Sequence, residues 1–291
     1  MIKIAHISDI HLHKISRDWS QFFSKRWLGN LNLVLFRKKR FCSEQVFILP
    51  NLFKQLKVNY VIVTGDISST SMEDEFEEGK RLFLDELKKR GIDSFFIPGN
   101  HDCYTKKAQK EQTFYKYFET EKNKITNNYT LRNNKGELVK LNKHLWYIGL
   151  DCSPATHLVS SRGLFSKTAE NTLQNILKEI PKKDSIILAC HFPFQFKKSP
   201  RKALKRAQVL KNILENNPNI KIFLHGHTHH HKIYDMRSKN LPLVLDSGTA
   251  ANNKKGKWNL LTLKGNHCNI DVYDWKQEGK WKKTEEHAYK L

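Results

Sequence analysis

Apolar positions along the chain fall into two rhythms. Short apolar or alternating runs, bounded by glycine, aspartate, asparagine or proline, predict strands at Lys3–Ser8, Tyr60–Gly65, Ser94–Pro98, Leu145–Leu150, Ser185–His191, Ile220–Gly226, Leu241–Asp246, Trp258–Leu263 and Asn269–Tyr273. Helical spacing predicts helices at Ser43–Lys57, Glu73–Arg90, Lys106–Phe118, Lys167–Glu179 and Pro200–Glu215. Pro50 is expected to kink or break the first of these, because it lacks the N–H that a helix interior needs. The stretch Glu73–Arg90 places acids in its first turns and bases in its last, as the helix dipole favours. Strands alternate with helices early, and the final third is rich in strands. That order reads as mixed α/β. With no internal repeat and no Pro/Gly/Ser-rich linker, a single domain over 1–291 is expected.

One stretch breaks the rhythm. His13 to Cys42 reads HKISRDWSQFFSKRWLGNLNLVLFRKKRFC, between the first strand and the first helix. Lys14 to Phe41 carries eight Lys or Arg and one acid, interleaved with Trp19, Phe22, Phe23, Trp27 and Leu28. Long irregular loops inside compact domains are usually functional or disordered. Basic groups mixed with large apolar ones suit a segment that docks on a membrane surface. The other reading of this insertion, 14–42, is a lid whose aromatics pack on the domain.

Composition then narrows the class. The chain has 291 residues, 39% hydrophobic and 11% aromatic, which excludes a disordered or collagen-like chain. No apolar run approaches the ~18 residues of a membrane span. The N-terminus opens directly into a strand pattern without a readable secretory signal, so the mature protein is expected to start near Met1. Cys42, Cys103, Cys152, Cys190 and Cys268 form no CxxC pair, which predicts reduced thiols and a cytoplasmic location. The net charge of +22 suits an anionic partner: a phosphorylated substrate, anionic lipid headgroups or nucleic acid. Charge alone does not choose among them.

The chemistry sits in five short motifs, each ending or following a predicted strand: Asp9-Ile10-His11, Gly65-Asp66, Gly99-Asn100-His101-Asp102, His191 and Gly226-His227-Thr228-His229. Ligands gather at the carboxyl ends of strands in α/β sheets, so these loops are expected to converge. Carboxylates, imidazoles and an amide oxygen are the donors that hard or borderline divalent ions take. Asp9, His11 and His229 can hold one ion and Asn100, His191 and His227 a second, with Asp66 bridging. A pair of ions so held clamps phosphoryl oxygens and activates water. His101 is left beside them as a general acid, and Asp102 is expected to fix its tautomer and raise its pKa. His6 and His225 lie inside strands and read as core; His230 and His231 read as solvated or as neighbours supporting the ligands; Asp151 reads as a cap or turn former. His13 is a candidate substrate contact. So are Lys197, Lys198 and Arg201, which open an acid-free basic run that continues to Lys211.

This ordered set, DxH, GD, GNHD, H and GHTH, resembles the calcineurin-like metallophosphoesterase superfamily over Asp9 to His229. The resemblance implies a four-layer α/β/β/α sandwich with a dinuclear site above the strand ends and every ligand position filled. The segments GDISSTS and GNHD differ from the GDxxDRG and GNHE of the phosphoprotein phosphatase branch, and class III cyclic-nucleotide phosphodiesterases share the GNHD form. The stretch PGNHDCYTKKAQKEQTFYKYF (Pro98–Phe118), with the early basic-aromatic insertion, is similar to the UDP-2,3-diacylglucosamine pyrophosphatases of chlamydial lipid A synthesis. That likeness implies hydrolysis of an acylated pyrophosphate at the inner face of the cytoplasmic membrane, with two divalent ions: Mn²⁺, or else Mg²⁺, Fe or Zn²⁺. The alternatives are a soluble phosphodiesterase on cyclic nucleotides or other small diesters, and a nuclease-like enzyme, less favoured.

Overall fold

The computed structural model describes residues 1–13, 44–156, 160–195 and 199–291. The insertion 14–42, Lys197 and Lys198 fall outside the described residues. In chain order the strands are β1 (Ile2–Ile7), β2 (Tyr60–Val63), β3 (Asp93–Phe96), β4 (Gly136–Asn142), β5 (Leu145–Leu150), β6 (Gly163–Leu164) and β7 (Ser185–Cys190). They continue as β8 (Leu204–Lys205), β9 (Ile220–His225), β10 (Lys232–Asp235), β11 (Leu243–Asp246), β12 (Lys257–Lys264), β13 (His267–Lys276) and β14 (Lys280–Lys290). Two six-stranded sheets result, ordered β14-β13-β12-β1-β2-β3 and β10-β11-β9-β7-β5-β4, with β6 and β8 pairing apart from them.

The centre of each sheet is parallel: β1–β2–β3 in one, β5–β7–β9–β11 in the other. Parallel strands covered on both faces need continuous apolar runs, which is what YVIV and SIILAC supply. The two sheets face each other across one core, where Ile7, Val61 and Val63 meet Tyr147, Ile187, Ile222 and Leu245. Helical residues Phe53, Phe76, Phe83 and Leu87 extend that core. A second cluster joins Leu173, Ile176, Leu210 and Leu214 of the helices Lys167–Glu179 and Ala207–Glu215 to Ile148, Leu188 and Phe223. The mixed α/β architecture with two large sheets agrees with the sandwich implied by the motifs.

Local departures from the sequence reading have physical causes. The predicted helix Lys106–Phe118 is two helices, Lys106–Lys110 and Thr113–Phe118, because Gln112 between them adopts a left-handed φ of 52°. The predicted helix from Pro200 begins only at Ala207. Before it, Leu204 is buried in β8 and Arg206 takes a left-handed φ of 62° that breaks helical propagation. Pro50 sits in the first turn of Leu49–Gln55, where its missing N–H costs nothing. Strands β4, β6, β8, β10 and β14 carried no readable pattern. In β14, KWKKTEEHAYK, only Trp281 is buried, as befits a charged edge strand that discourages pairing with another chain.

Candidate metal centre

The loops after β1, β2, β3, β7 and β9 are tied together before any ligand is considered. The Asp9 N–H donates to Gly65 O (3.0 Å), His11 N–H to Asp66 O (2.9 Å) and Gly226 N–H to His191 O (3.1 Å). Asp9, His11, Asp66, His227 and His229 all adopt left-handed φ between 51° and 72°. Such non-glycine backbone costs roughly 1–3 kcal/mol per residue, and it persists at sites where function over-determines it. Here it turns five side chains inward from chain that would otherwise leave the sheet extended.

One group is compact. The ligand atoms of Asp9, His11, Asp66 and His229 all lie within 4.8 Å of one another. His11 Nε2 is 3.0 Å from His229 Nε2, 3.6 Å from Asp9 Oδ1 and 3.9 Å from Asp66 Oδ2. His229 Nε2 is 3.0 Å from Asp9 Oδ1, an oxygen with no aligned hydrogen-bond donor. Donors ~2.0–2.2 Å from one ion would have about these separations from each other. The second group shares Asp66: His191 Nε2 is 3.4 Å from Asp66 Oδ2 and 3.3 Å from Asn100 Oδ1. The His227 ring lies 5.1 Å from that of His191, edge to face. Asp66 Oδ2 therefore faces both groups, the position proposed for a bridge, while its Oδ1 accepts the His101 N–H at 2.7 Å.

Electrostatics fits a cation. Burial alone would raise the Asp9 and Asp66 pKa values, yet the surrounding imidazoles hold both well below the ordinary carboxylate range. Burial would lower the pKa of His191, but Asp66 and Asp9 outweigh it and hold it up at about 10. Burial, reinforced by charged His191, pushes His227 down to about 3. Two buried carboxylates that bind a proton this tightly on a neighbouring ring form a cavity built for positive charge, and metal binding displaces such protons. The residues present fit two divalent ions. Asp9, His11, Asp66, Asn100, His191 and His227 are buried, whereas His229 and His101 are half-exposed.

His101 differs from its neighbours. Its Nδ1–H donates to the carbonyl oxygen of Ser69 at 2.6 Å, and its ring stacks on Tyr104 with centroids 5.3 Å apart. This corrects the role expected of Asp102. The Asp102 carboxylate accepts the backbone N–H groups of Gly99 (2.9 Å), Ser68 (2.8 Å) and Ile67 (3.2 Å) and the Ser68 hydroxyl (3.0 Å). It stitches the GNHD turn to the Gly65-Asp66 loop, and Ser69 sets the tautomer of His101.

The remaining histidines divide as their places in the strands suggest. His6 is fully buried with Nε2 3.0 Å from the Thr64 hydroxyl, and the Thr64 carbonyl lies 2.6 Å from His191 Nδ1. His225 is buried and His230 exposed, while His231 is half-buried with Nε2 2.7 Å from Asn259 Oδ1. Asp151 is structural: it accepts from Tyr115 (2.6 Å), Lys135 (2.7 Å) and the Ser153 N–H (2.9 Å). His13 is half-buried, one residue beyond Leu12, which bridges to Ser68. Arg201 is exposed, and the backbone carbonyl of its neighbour Lys202 lies 2.9 Å from His227 Nε2, so the basic run borders the centre.

Two glycines were not singled out by sequence reasoning, although they stand inside the motifs. A Cβ on Gly99 would collide with the Asp66 carboxylate, and one on Gly226 with Ser8 and the Asp9 carboxylate. Neither has positive φ, so close approach rather than backbone freedom excludes a side chain. The backbone carbonyls of Thr64 and Ser69 had no sequence signal at all.

Comparison with known proteins agrees with this geometry. Residues 2–231 match the family model described as calcineurin-like phosphoesterase. A curated 3',5'-cyclic-nucleotide phosphodiesterase from Nostoc sp. is 24% identical over 232 residues, covering 78% of this chain and 71% of that protein. Among solved structures, a dimetal phosphatase from Danio rerio superposes with a TM-score of 0.69 at 11% identity, covering 99% of this chain and 98% of that one. A purple acid phosphatase from yellow lupin (Lupinus luteus) seeds gives a TM-score of 0.60 at 8% identity, over 99% of this chain and 53% of that one. At such identities the structural likeness establishes the fold.

Proposed function

The chain belongs to the calcineurin-like phosphoesterases, metal-dependent hydrolases of phosphoesters, and from that premise we propose that it cleaves the pyrophosphate of UDP-2,3-diacylglucosamine. Water adds across the P–O–P link, giving UMP and 2,3-diacylglucosamine 1-phosphate. The observation that carries the phosphoesterase part is Asp66 Oδ2, 3.9 Å from His11 Nε2 and 3.4 Å from His191 Nε2, between two donor groups. Asp9, His11, His229 and Asp66 would hold one divalent ion, and Asn100, His191, His227 and Asp66 the other. When bound, such ions polarise the phosphoryl group and lower the pKa of water.

The chain's own residues do the rest. Asp66 Oδ1 fixes the His101 backbone N–H, and Ser69 O fixes the His101 Nδ1 proton. Nε2, bare in that neutral tautomer, carries the second proton in the imidazolium, and it is this proton that passes to the departing oxygen. Asp102 holds the loops carrying Asp66 and Asn100 at a constant separation.

The lipid part rests on the chain's composition. Residues 14–42 combine bases with Trp and Phe, and Lys197, Lys198 and Arg201 open a second basic run. A membrane-peripheral enzyme on an acylated anionic substrate needs both features. No helix among the described residues is long and apolar enough to cross a membrane. We read the chain as one domain that works at the inner face of the cytoplasmic membrane, with manganese as the metal. The second reading, a soluble phosphodiesterase on cyclic nucleotides, is favoured by the Nostoc relative.

A metal-replete assay across UDP-2,3-diacylglucosamine, a cyclic nucleotide, bis(p-nitrophenyl) phosphate and single-stranded DNA separates the readings. UMP release from the lipid is the expected result. Ready cleavage of the cyclic nucleotide or DNA without UMP release overturns it.

A further inference from the structure

Beside the metal loops lies a pocket of about 120 Å³ that the reaction as described does not use. Its walls include Phe194, Tyr234 and Val244, and its polar lining includes Gln195, Thr228 and Asp246. Thr228 stands between His227 and His229, and its hydroxyl is bonded to Asp246 at the end of β11. Phe194 and Gln195 follow His191 by three and four residues. Two of the lining segments, Phe194–Gln195 and the stretch from His225 to Thr228, thus continue into the loops of His191 and His227, at the carboxyl ends of β7 and β9, where α/β sheets take ligands.

Resting on the phosphoesterase function proposed above, we infer that this pocket receives the nucleobase of the substrate, and that it is sized for a single-ring base. The volume is of the same order as the ~150 Å³ of a cavity that binds one benzene ring, which is room for a single flat ring. Tyr234 is a large aromatic left 43% exposed, with the Lys232 ammonium 4.7 Å from its ring centre. An exposed tyrosine beside a buried phenylalanine is what stacking on a base requires. The Gln195 amide at the rim offers a donor and an acceptor together, matching the carbonyl and N–H edge of a pyrimidine. Both substrate readings above carry a nucleoside, so the pocket bears on either. Its single-ring size favours the uridine one.

The test uses full-length, metal-loaded protein with p-nitrophenyl esters of UMP and AMP, and bis(p-nitrophenyl) phosphate as a diester without a base. Tyr234→Ala should raise KM for the uridine ester by roughly tenfold more than for bis(p-nitrophenyl) phosphate, and more than for the adenosine ester. Val244→Phe, which fills the pocket, should do the same. Equal losses on all three esters, or none, overturn the assignment; equal losses on the two nucleoside esters overturn the single-ring part. Saturation-transfer NMR with uridine, which has no phosphate to bind metal, reads the pocket even if wild type cleaves none of the esters. Signal on wild type that is lost in both variants supports the pocket, and absence of signal on wild type sinks it. Failure to cleave any ester would by itself count only against the proposed phosphoesterase activity.

Discussion

His101 is held by Ser69: a backbone carbonyl 2.6 Å from Nδ1 accepts its proton and fixes the ring's tautomer. A carbonyl cannot donate, so this contact admits one neutral tautomer. His101 also lies 4.8 Å, ring to ring and edge-on, from His11. It is next to the metal centre without belonging to it.

Removing the two residues should therefore have different consequences. Asp66→Ala is expected to lose metal, since its Oδ2 serves both donor groups. His101→Ala should retain metal and lose roughly 10²–10⁴-fold in kcat. Elemental analysis of the purified variants decides; equal metal loss in both would remove the distinction in roles.

Asp102→Asn should act through the loops. The carboxylate accepts three backbone N–H groups and a hydroxyl while fully buried. An amide in its place turns an N–H group toward those donors. Burial and the neighbouring Asp66 push this carboxyl up to about 7, so it is not a full charge at neutral pH; a loss of about 1–3 kcal/mol is expected from the buried donors left unpaired, since Asn keeps some of the bonds. A lowered melting temperature with reduced metal retention is the expected pattern. Unchanged stability with a displaced pH–rate profile would instead restore Asp102 as the partner of the His101 ring.

The candidate metal ligands were legible in the sequence because each is a chemically distinctive side chain placed just after an apolar run. His191 after SIILAC and Asp66 after YVIVT need no contact map to be noticed. Asp102 was misread because adjacency in sequence stood in for adjacency in space. In the GNHD turn, closed by Asp102 N–H to Gly99 O at 3.2 Å, consecutive side chains diverge. Ser69 and Thr64 act through main-chain oxygens that every residue has, so no pattern reveals them. Strand β14 escaped for a related reason. Its exposed, charged faces lack period-two burial, and its place at the sheet edge comes from pairing with β13.

Stability should depend on pH through Glu137, away from the metal centre. Burial pushes this carboxyl up to about 7 from its ordinary 4.5, partly offset by the Thr120 and Tyr147 hydroxyls. The native state thus holds the proton more tightly than the unfolded chain. The contribution is fully present below pH 4.5 and is lost as pH rises through 7; it amounts to roughly 3 kcal/mol. Glu137→Gln should remove that slope, so the variant gains on wild type between pH 5 and 8 in denaturant melts. Parallel curves for the two proteins would contradict the shift.

Membrane docking by the basic-aromatic insertion makes a salt-dependent prediction. Attraction to anionic vesicles should fall as ionic strength rises from 0.05 to 0.5 M, since the screening length shrinks from roughly 14 to 4 Å. Replacing Arg37, Lys38, Lys39 and Arg40 together by Gln should weaken flotation with phosphatidylglycerol vesicles far more than it slows a small soluble diester. Flotation indifferent to both salt and the four substitutions would make the segment a packed lid.

Gly226→Ala tests how tightly the centre is built. The position has ordinary φ, and alanine is no worse than glycine as backbone there. Space is the obstacle: an added methyl would run into Ser8 and the Asp9 carboxylate. Asp9 is fixed by His227 N–H on Oδ2 (3.0 Å) and by the Asp9 N–H on Gly65 O (3.0 Å), so its side chain must rotate rather than the loop recede. Rotation takes Oδ1 away from His11 and His229, which it now meets at 3.6 and 3.0 Å. The expected result is a folded protein that loses the ion of the Asp9–His11–His229 group first, with activity falling at least ~10²-fold from displacement on the order of 1 Å. Metal titration followed by calorimetry should show one of two binding events weakened or gone. Two unchanged binding events in Gly226→Ala would mean that Asp9 is not a ligand.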